Sequence, residues 1–82
     1  MAVLQVYSRR GCHLCEQLLE DLVPLVRHRL AVDIRDIDSR ADWRRKYDKR
    51  VPVVEFEGDV VCQYTLDRHA IQDIVRDIPA PR

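Results

Sequence analysis

The sequence predicts one α/β domain, in which a four-stranded mixed sheet carries helices on both faces. Hydrophobic residues make up 46% of the 82 residues, which is enough for one small core. Strand-like and helix-like patterns follow one another in the order β-α-β-α-β-β-α. The first two strands should be parallel because a helix joins them, and the last two should be antiparallel because a short turn joins them. Helices on both faces of such a sheet give the compact arrangement.

The first half of the chain predicts a strand, a long helix and a second strand. Residues 2–7 alternate loosely and are rich in Val, Leu and Tyr, as strands are. Residues 13–29 place their apolar side chains three, four and seven positions apart, which is the spacing of an amphipathic helix. Pro24 lies inside this helix and should kink it or end it early. A short apolar stretch that turns into alternation predicts the second strand over residues 30–37.

The next part of the chain predicts a short helix followed by a hairpin. Asp38 and Ser39 offer side-chain oxygens that can cap a helix over residues 40–47. Residues 51–56 are strand-like, with a proline near the start, where a missing N–H donor is tolerated. A three-residue turn then leads to a short strand over residues 60–64, which completes the hairpin.

The last predicted element is an amphipathic helix over residues 66–77. Its apolar side chains recur at helical spacing and so share one face. Thr65 or Asp67 can cap its beginning, and Pro79 and Pro81 should end it.

Charge and hydropathy exclude several classes of function. Lys plus Arg number 14 and Asp plus Glu number 14, so the formal net charge is zero. A balanced charge lacks the basic footprint of a nucleic-acid binder or of a polybasic membrane-surface protein. No stretch approaches the roughly 18 apolar residues of a membrane span, and the N-terminus lacks the features of a secretory signal. We therefore expect a cytoplasmic monomer that binds neither nucleic acid nor membrane.

The cysteines are the strongest functional signal. There are three of them, and an odd number argues against a secreted disulfide scaffold. Cys12 and Cys15 form a Cys-x-x-Cys motif at the predicted junction of the first strand and the first helix. The positive end of the helix favours a thiolate at Cys12, and Arg9, Arg10 and His13 can add favourable charge. Cys15, one turn into the helix, should be more buried.

This asymmetry suits thiol–disulfide exchange. A thiolate at Cys12 would attack a substrate disulfide, and Cys15 would resolve the mixed disulfide that forms. Three alternatives remain open on the residues alone. The pair could join Cys62 or His69 in a zinc site, or hold an iron–sulfur cluster between two chains. It could also be a structural disulfide in a non-catalytic adaptor.

Several motifs together give the sequence a resemblance to the glutaredoxin-like branch of the thioredoxin superfamily. They are the strand over 3–7, the Cys12-His13-Leu14-Cys15 motif, the Arg50-Val51-Pro52-Val53 segment, the turn at Gly58 and the terminal helix. The sequence is most similar to short bacterial members with a Cys-x-Leu-Cys motif. The resemblance implies a thioredoxin fold with Cys12 as the nucleophile and Cys15 as the resolving thiol. It also implies that Pro52 is a cis-proline facing the pair and that the Val51 backbone binds an extended substrate.

The same resemblance bears on the reductant and on further contacts. It implies no bound cofactor and makes glutathione a candidate reductant, with Arg9 as a partner for its carboxylate and Tyr7 as a nearby aromatic. Glutathione-binding members usually have Pro-Tyr between the two cysteines, where this chain has His13 and Leu14, and a Gly-Gly pair where this chain has residues 61–65. The expected partner is a disulfide-containing protein or a small thiol substrate.

Three further features each allow two interpretations. Cys62 is either a third exchanging thiol or a small hydrophobe of the core. His13 either stabilises the Cys12 thiolate or is a solvated side chain. The cationic residues over 40–50 either meet an acidic partner or form a solvated helix face.

Overall fold

The computed structural model describes residues 2–78 and confirms the predicted class and order of elements. The elements are β1 (Val3–Ser8), α1 (His13–Val26), β2 (Ala31–Asp36), a 3-10 turn (Ile37–Ser39), α2 (Ala41–Tyr47), β3 (Val53–Phe56), β4 (Asp59–Gln63) and α3 (Arg68–Asp77). The strands lie in the order β2-β1-β3-β4. As predicted, β1 and β2 are parallel, and β3 and β4 are antiparallel. None of the helices in the described part of the chain is long and apolar enough to cross a membrane.

One face of the sheet packs against α1 and α3. Leu4 and Val6 of β1 point to this face and are fully buried. Leu18 and Leu22 of α1 and Ile71 of α3 cover them and belong to the same apolar cluster. Alternation along β1 and helical spacing along α1 and α3 therefore build the larger core, as the sequence predicts.

An aromatic cluster beneath α2 forms the core on the opposite face. The Tyr7 ring stacks on Tyr47 with centroids 4.1 Å apart. It also meets the edge of Trp43 at 5.6 Å. Ile37 and Val53 complete this cluster and are fully buried. Trp43 and Tyr47 are four residues apart and so share the helix face that packs on the sheet.

A buried hydrogen bond links α2 to the middle of the sheet. The Tyr47 hydroxyl donates to Oε2 of Glu55 at 2.5 Å. Glu55 lies in β3 and is only 8% exposed. Burial, and then the hydrogen bond to Glu55, raise the pKa of Tyr47 above its ordinary value.

The predicted N-cap of α2 is wrong. Asp38 and Ser39 lie in the 3-10 turn, and Arg40 takes the N-cap position without a side-chain hydrogen bond. The reason is local, because the Asp36 carboxylate accepts the backbone N–H of Asp38 at 2.9 Å and so caps the 3-10 turn instead. The helix consequently begins at Ala41, one residue later than predicted.

Several other elements begin or end a few residues from the predicted positions. The helix α1 ends at Val26, two residues after Pro24, and His28 then adopts a positive φ of 68°. The strand β3 begins at Val53 rather than at residue 51, and α3 begins at Arg68 with Asp67 as its side-chain cap. The predicted stops at Pro79 and Pro81 lie outside the described residues.

The hairpin turn is one residue shorter than predicted. Only Glu57 and Gly58 form it, with φ angles of 53° and 87°, and Asp59 already belongs to β4. Two consecutive positive φ angles are typical of the two-residue turn whose twist matches that of the flanking strands.

Candidate redox site

A tight turn after β1 delivers the cysteine motif to the start of α1. The Cys12 N–H donates to the carbonyl of Arg9 at 3.3 Å, which closes the turn. Gly11 has a φ of 73°, a conformation that glycine adopts without the strain a side chain would bring. Cys12 therefore occupies the N-cap of α1.

Cys12 and Cys15 face each other across the first turn of α1. Their Cα atoms are 5.2 Å apart and their sulfurs lie at disulfide distance. The Cys15 N–H donates to Sγ of Cys12 at 3.2 Å, so the sulfur itself caps the helix. Cys15 is only 2% exposed, whereas Cys12 is half-buried. Cys12 is therefore the more accessible of the two cysteines, and the predicted difference in burial is observed.

The two residues between the cysteines point outward. His13 is exposed, and Leu14 is 47% exposed. Leu14 borders a cleft of about 190 Å³ between α1 and the segment after β4, where Tyr64 and Leu66 form the opposite wall. This cleft places an accessible apolar surface directly beside the cysteine pair, and the sequence analysis had not predicted it.

The Val51-Pro52 segment precedes β3 and has a cis peptide bond. Pro52 is buried, and its carbonyl accepts the N–H of Tyr64 at 2.8 Å, which extends the pairing of β3 with β4. Val51 is half-buried, and within residues 2–78 neither its N–H nor its C=O takes part in a hydrogen bond. The Val51 backbone donor and acceptor are therefore unpaired in the described part of the chain.

Arg9 is held by two carboxylates from later parts of the chain. Its guanidinium donates twice to Asp38, each time at 3.1 Å, and once to the carboxylate of Asp48 at 2.7 Å. A longer bond of 3.4 Å reaches the Asp48 carbonyl. These hydrogen bonds raise the pKa of Arg9, and they occupy four of its five N–H donors. Arg9 thus ties the turn before Cys12 to the 3-10 turn and to the end of α2.

Tyr7 is likewise engaged within the protein. It is 5% exposed, and its hydroxyl accepts a hydrogen bond from Nη1 of Arg35 at 2.8 Å. Both Tyr7 and Arg9 thus have hydrogen-bond partners within the protein. Their predicted roles in substrate binding stay predictions.

Parallel strand pairing could have revealed one of the contacts that the sequence analysis missed. Ser8 and Asp36 are paired at the carboxyl ends of β1 and β2. Residues that follow two parallel strands emerge at the same edge of the sheet. Arg9 and Asp38 are therefore neighbours by topology. Asp48 gives no such signal, because its place depends on where α2 ends.

Cys62 lies on β4 opposite Val54 and packs against the core beneath α1 and α3. It is half-buried and free, and burial raises the pKa of its thiol. These observations favour the interpretation as a small core hydrophobe. Across residues 2–78, no three His, Cys, Asp or Glu side chains are grouped so that they could hold a metal ion.

We expect Cys62 to be alkylated slowly in the fully reduced native protein near neutral pH. A raised pKa leaves a smaller share of thiolate than an ordinary thiol has, and the thiolate is the reactive form. Iodoacetamide labelling followed by peptide mass spectrometry measures this, and the Cys62 rate should rise as the pH is raised. The same labelling in concentrated urea is the control. Equal rates in native and unfolded protein would contradict the assignment.

The fold and the site define a thioredoxin-fold protein with a Cys-x-x-Cys pair at a helix N-terminus. The profile of the glutaredoxin-like domain family (DUF836) matches residues 3–76. The chain therefore belongs to this glutaredoxin-like family. A search of curated proteins finds no match to the sequence.

Solved structures share the fold. The X-ray structure of protein XcR50 from X. campestris is 26% identical, with a TM-score of 0.70 over 93% of this chain and 99% of that chain. The solution structure of XcR50 gives 29% identity and the same TM-score of 0.70, over 99% of this chain and 100% of that one. The thioredoxin Deadhead from Drosophila melanogaster is 15% identical, with a TM-score of 0.53 over 90% and 77% of the two chains. This last likeness concerns the fold alone.

Proposed function

We propose that this protein is a thiol–disulfide oxidoreductase that works through Cys12 and Cys15. The observation that carries the proposal is the unequal exposure of two sulfurs at disulfide distance on a helix N-terminus. The N-terminal N–H groups and the positive end of α1 favour the thiolate of Cys12. The buried Cys15 is close enough to attack Cys12 and is shielded from the substrate.

The proposed reaction has two exchange steps. The Cys12 thiolate attacks one sulfur of a substrate disulfide, forms a mixed disulfide and releases the first substrate thiolate, which takes up a proton. Cys15 loses its proton and attacks Cys12, so that the Cys12–Cys15 disulfide forms and the second substrate thiolate leaves and is protonated. The substrate gains two electrons from the protein and two protons, of which Cys15 releases one and the solvent supplies the other.

The substrate and the reductant belong to this proposal as well. A disulfide-bearing segment in extended form could pair with the free N–H and C=O of Val51, as in strand addition. Glutathione or a protein dithiol would reduce the Cys12–Cys15 disulfide, and no resident cofactor is needed because the sulfurs carry the electrons. A reducing cytoplasm would keep the pair in the thiol form.

Replacing Cys12 by serine should abolish the reaction, because the accessible nucleophile is lost and Cys15 is too buried to replace it. The measurement is a single turnover, in which pre-reduced protein is mixed with an uncharged small disulfide and the released thiol is followed. Cys62→Ser is the matched control and should react like the wild type. Thiol release by Cys12→Ser at the wild-type rate would contradict the proposed function.

A further inference from the structure

The end of α2 and the loop after it carry an excess of positive charge. Residues 40–50 hold six Lys or Arg against two Asp, although the chain as a whole is neutral. Arg44, Arg45, Lys46 and Lys49 are exposed, and none of them forms an ion pair with any of residues 2–78. We call these four residues the basic strip.

The two acidic residues in this region do not neutralise the strip. Asp42 pairs with Arg40 at 2.9 Å. Asp48 pairs with Arg9 at 2.7 Å. Both carboxylates are therefore already matched with arginines outside the strip, and the positive charge of the strip is left to the solvent.

The basic strip borders the redox site. Asp48, next to Lys49, is hydrogen bonded to Arg9, whose carbonyl closes the turn onto Cys12. On the other side, the Tyr64 hydroxyl donates to the carbonyl of Lys49 at 3.0 Å. Tyr64 is 44% exposed and forms a wall of the apolar cleft beside Leu14. The Lys49 end of the strip therefore lies between the loop that precedes the cysteine pair and the residue that lines the cleft.

We infer that the basic strip docks a protein substrate whose disulfide is flanked by acidic residues. This inference rests on the proposed function and names the substrate class for the same site. Because its net charge is zero, the molecule as a whole does not attract a charged partner. A local excess of charge can instead favour the orientation in which an oppositely charged partner approaches that part of the surface. Complementary charge at an exposed rim raises the rate of encounter more than it strengthens the final complex.

A nucleic acid fits the strip less well than an acidic protein does. Among the described aromatic residues near the strip, Tyr64 is exposed, but Tyr47 is buried and Trp43 is packed against the core cluster. A single exposed ring does not provide the row of rings on which successive bases stack.

The experiment compares two disulfide-bonded peptides of otherwise identical sequence. The acidic peptide has Asp or Glu beside the cystine, and the neutral peptide has Asn or Gln at the same positions. Pre-reduced protein is mixed with each peptide, and thiol release is followed over one turnover. We expect the acidic peptide to react about tenfold faster at low ionic strength. That advantage should disappear near about 0.5 M salt, where exposed charges are screened. The neutral peptide should be nearly insensitive to salt.

A double variant, Arg45→Glu with Lys49→Glu, should remove the preference and leave the rate with the neutral peptide unchanged. The matched control is Arg27→Glu with Arg76→Glu, which changes the net charge equally at exposed positions outside the strip and should keep the preference. Lys46 is left in place because its ammonium lies 5.2 Å from the Tyr47 ring centroid. The neutral-peptide rate also reports that each variant is folded.

The outcomes separate this inference from the proposed function. If wild type reduces both peptides equally at low salt, or if the strip variant keeps the preference, docking at the strip is overturned and the redox function stands. If neither peptide is reduced, both the proposed redox function and the inference that rests on it are contradicted. Tight binding of a single-stranded oligonucleotide that needs Arg45 and Lys49, without an acidic-peptide preference, would also overturn it.

Discussion

Replacing Tyr47 by phenylalanine is expected to lower the free energy of unfolding by about 1–3 kcal/mol. The change removes one oxygen atom and leaves the aromatic packing on Tyr7 intact. It also leaves the carboxyl group of Glu55, which is 8% exposed, without its hydroxyl donor. A buried polar group that loses its hydrogen-bond partner destabilises the folded state by its full desolvation free energy. Urea denaturation at equal redox state measures the difference.

Tyr64→Phe is the matched control for this prediction. Its hydroxyl also makes one hydrogen bond, to the Lys49 carbonyl, but on an exposed residue where water can replace it. We expect the free energy of unfolding of Tyr64→Phe to differ from that of the wild type by less than about 0.5 kcal/mol. Equal losses in the two variants would contradict the special role of burial at Tyr47.

The raised pKa of Tyr47 adds a pH dependence to the same comparison. The folded state binds this phenolic proton more tightly than the unfolded state, whose ordinary pKa is 10.0. The resulting stabilisation is therefore complete below pH 10.0 and is lost as the pH rises above it. The stability difference between the wild type and Tyr47→Phe should accordingly shrink above this pH.

Replacing Cys15 by serine is expected to stop the proposed reaction halfway. Cys12 remains accessible at the N-cap of α1, so it still attacks a substrate disulfide. Without the Cys15 thiol, the mixed disulfide on Cys12 is not resolved. The mixed disulfide should accumulate to nearly one substrate half per protein. Intact-mass spectrometry and peptide mapping of the adduct measure this, and the adduct should lie on Cys12.

The trapping experiment is cleanest with Cys62 also replaced by serine. This excludes slow resolution by the third thiol, and Cys62→Ser alone is the control that should release both substrate halves. Turnover at the wild-type rate by the double variant would contradict the resolving role of Cys15. An adduct on a residue other than Cys12 would contradict the role of Cys12 as nucleophile.

Periodicity along the chain predicted the strands and the helices α1 and α3, whereas the prediction of α2 rested on its expected capping residues. The leucine spacing of α1 and the alternation of β1 both arise from burial of one face, and the structure shows those faces in the core. Helix and strand ends were predicted less well. They depend on local competition, such as the Asp36 carboxylate that caps the 3-10 turn and displaces Asp38 and Ser39 from the cap of α2.

The cysteine pair was predictable for the same reason that α1 was. Its spacing of three residues at a strand–helix junction is local information, and the difference in burial follows from the helix face. The partners of Arg9 were not predictable in full, because they lie 29 and 39 residues further along the chain. The bond between Tyr47 and Glu55 and the cleft beside Leu14 also need the assembled sheet.

The clamp on Arg9 has a consequence for how the site is assembled. A segment that ended after α1 would contain both cysteines and the turn before them, but neither Asp38 nor Asp48. The Arg9 side chain therefore finds these partners only after contacts distant in the chain have closed, which costs loop-closure entropy. The contacts that hold the loop before Cys12 thus belong to the folded domain rather than to the four-residue motif.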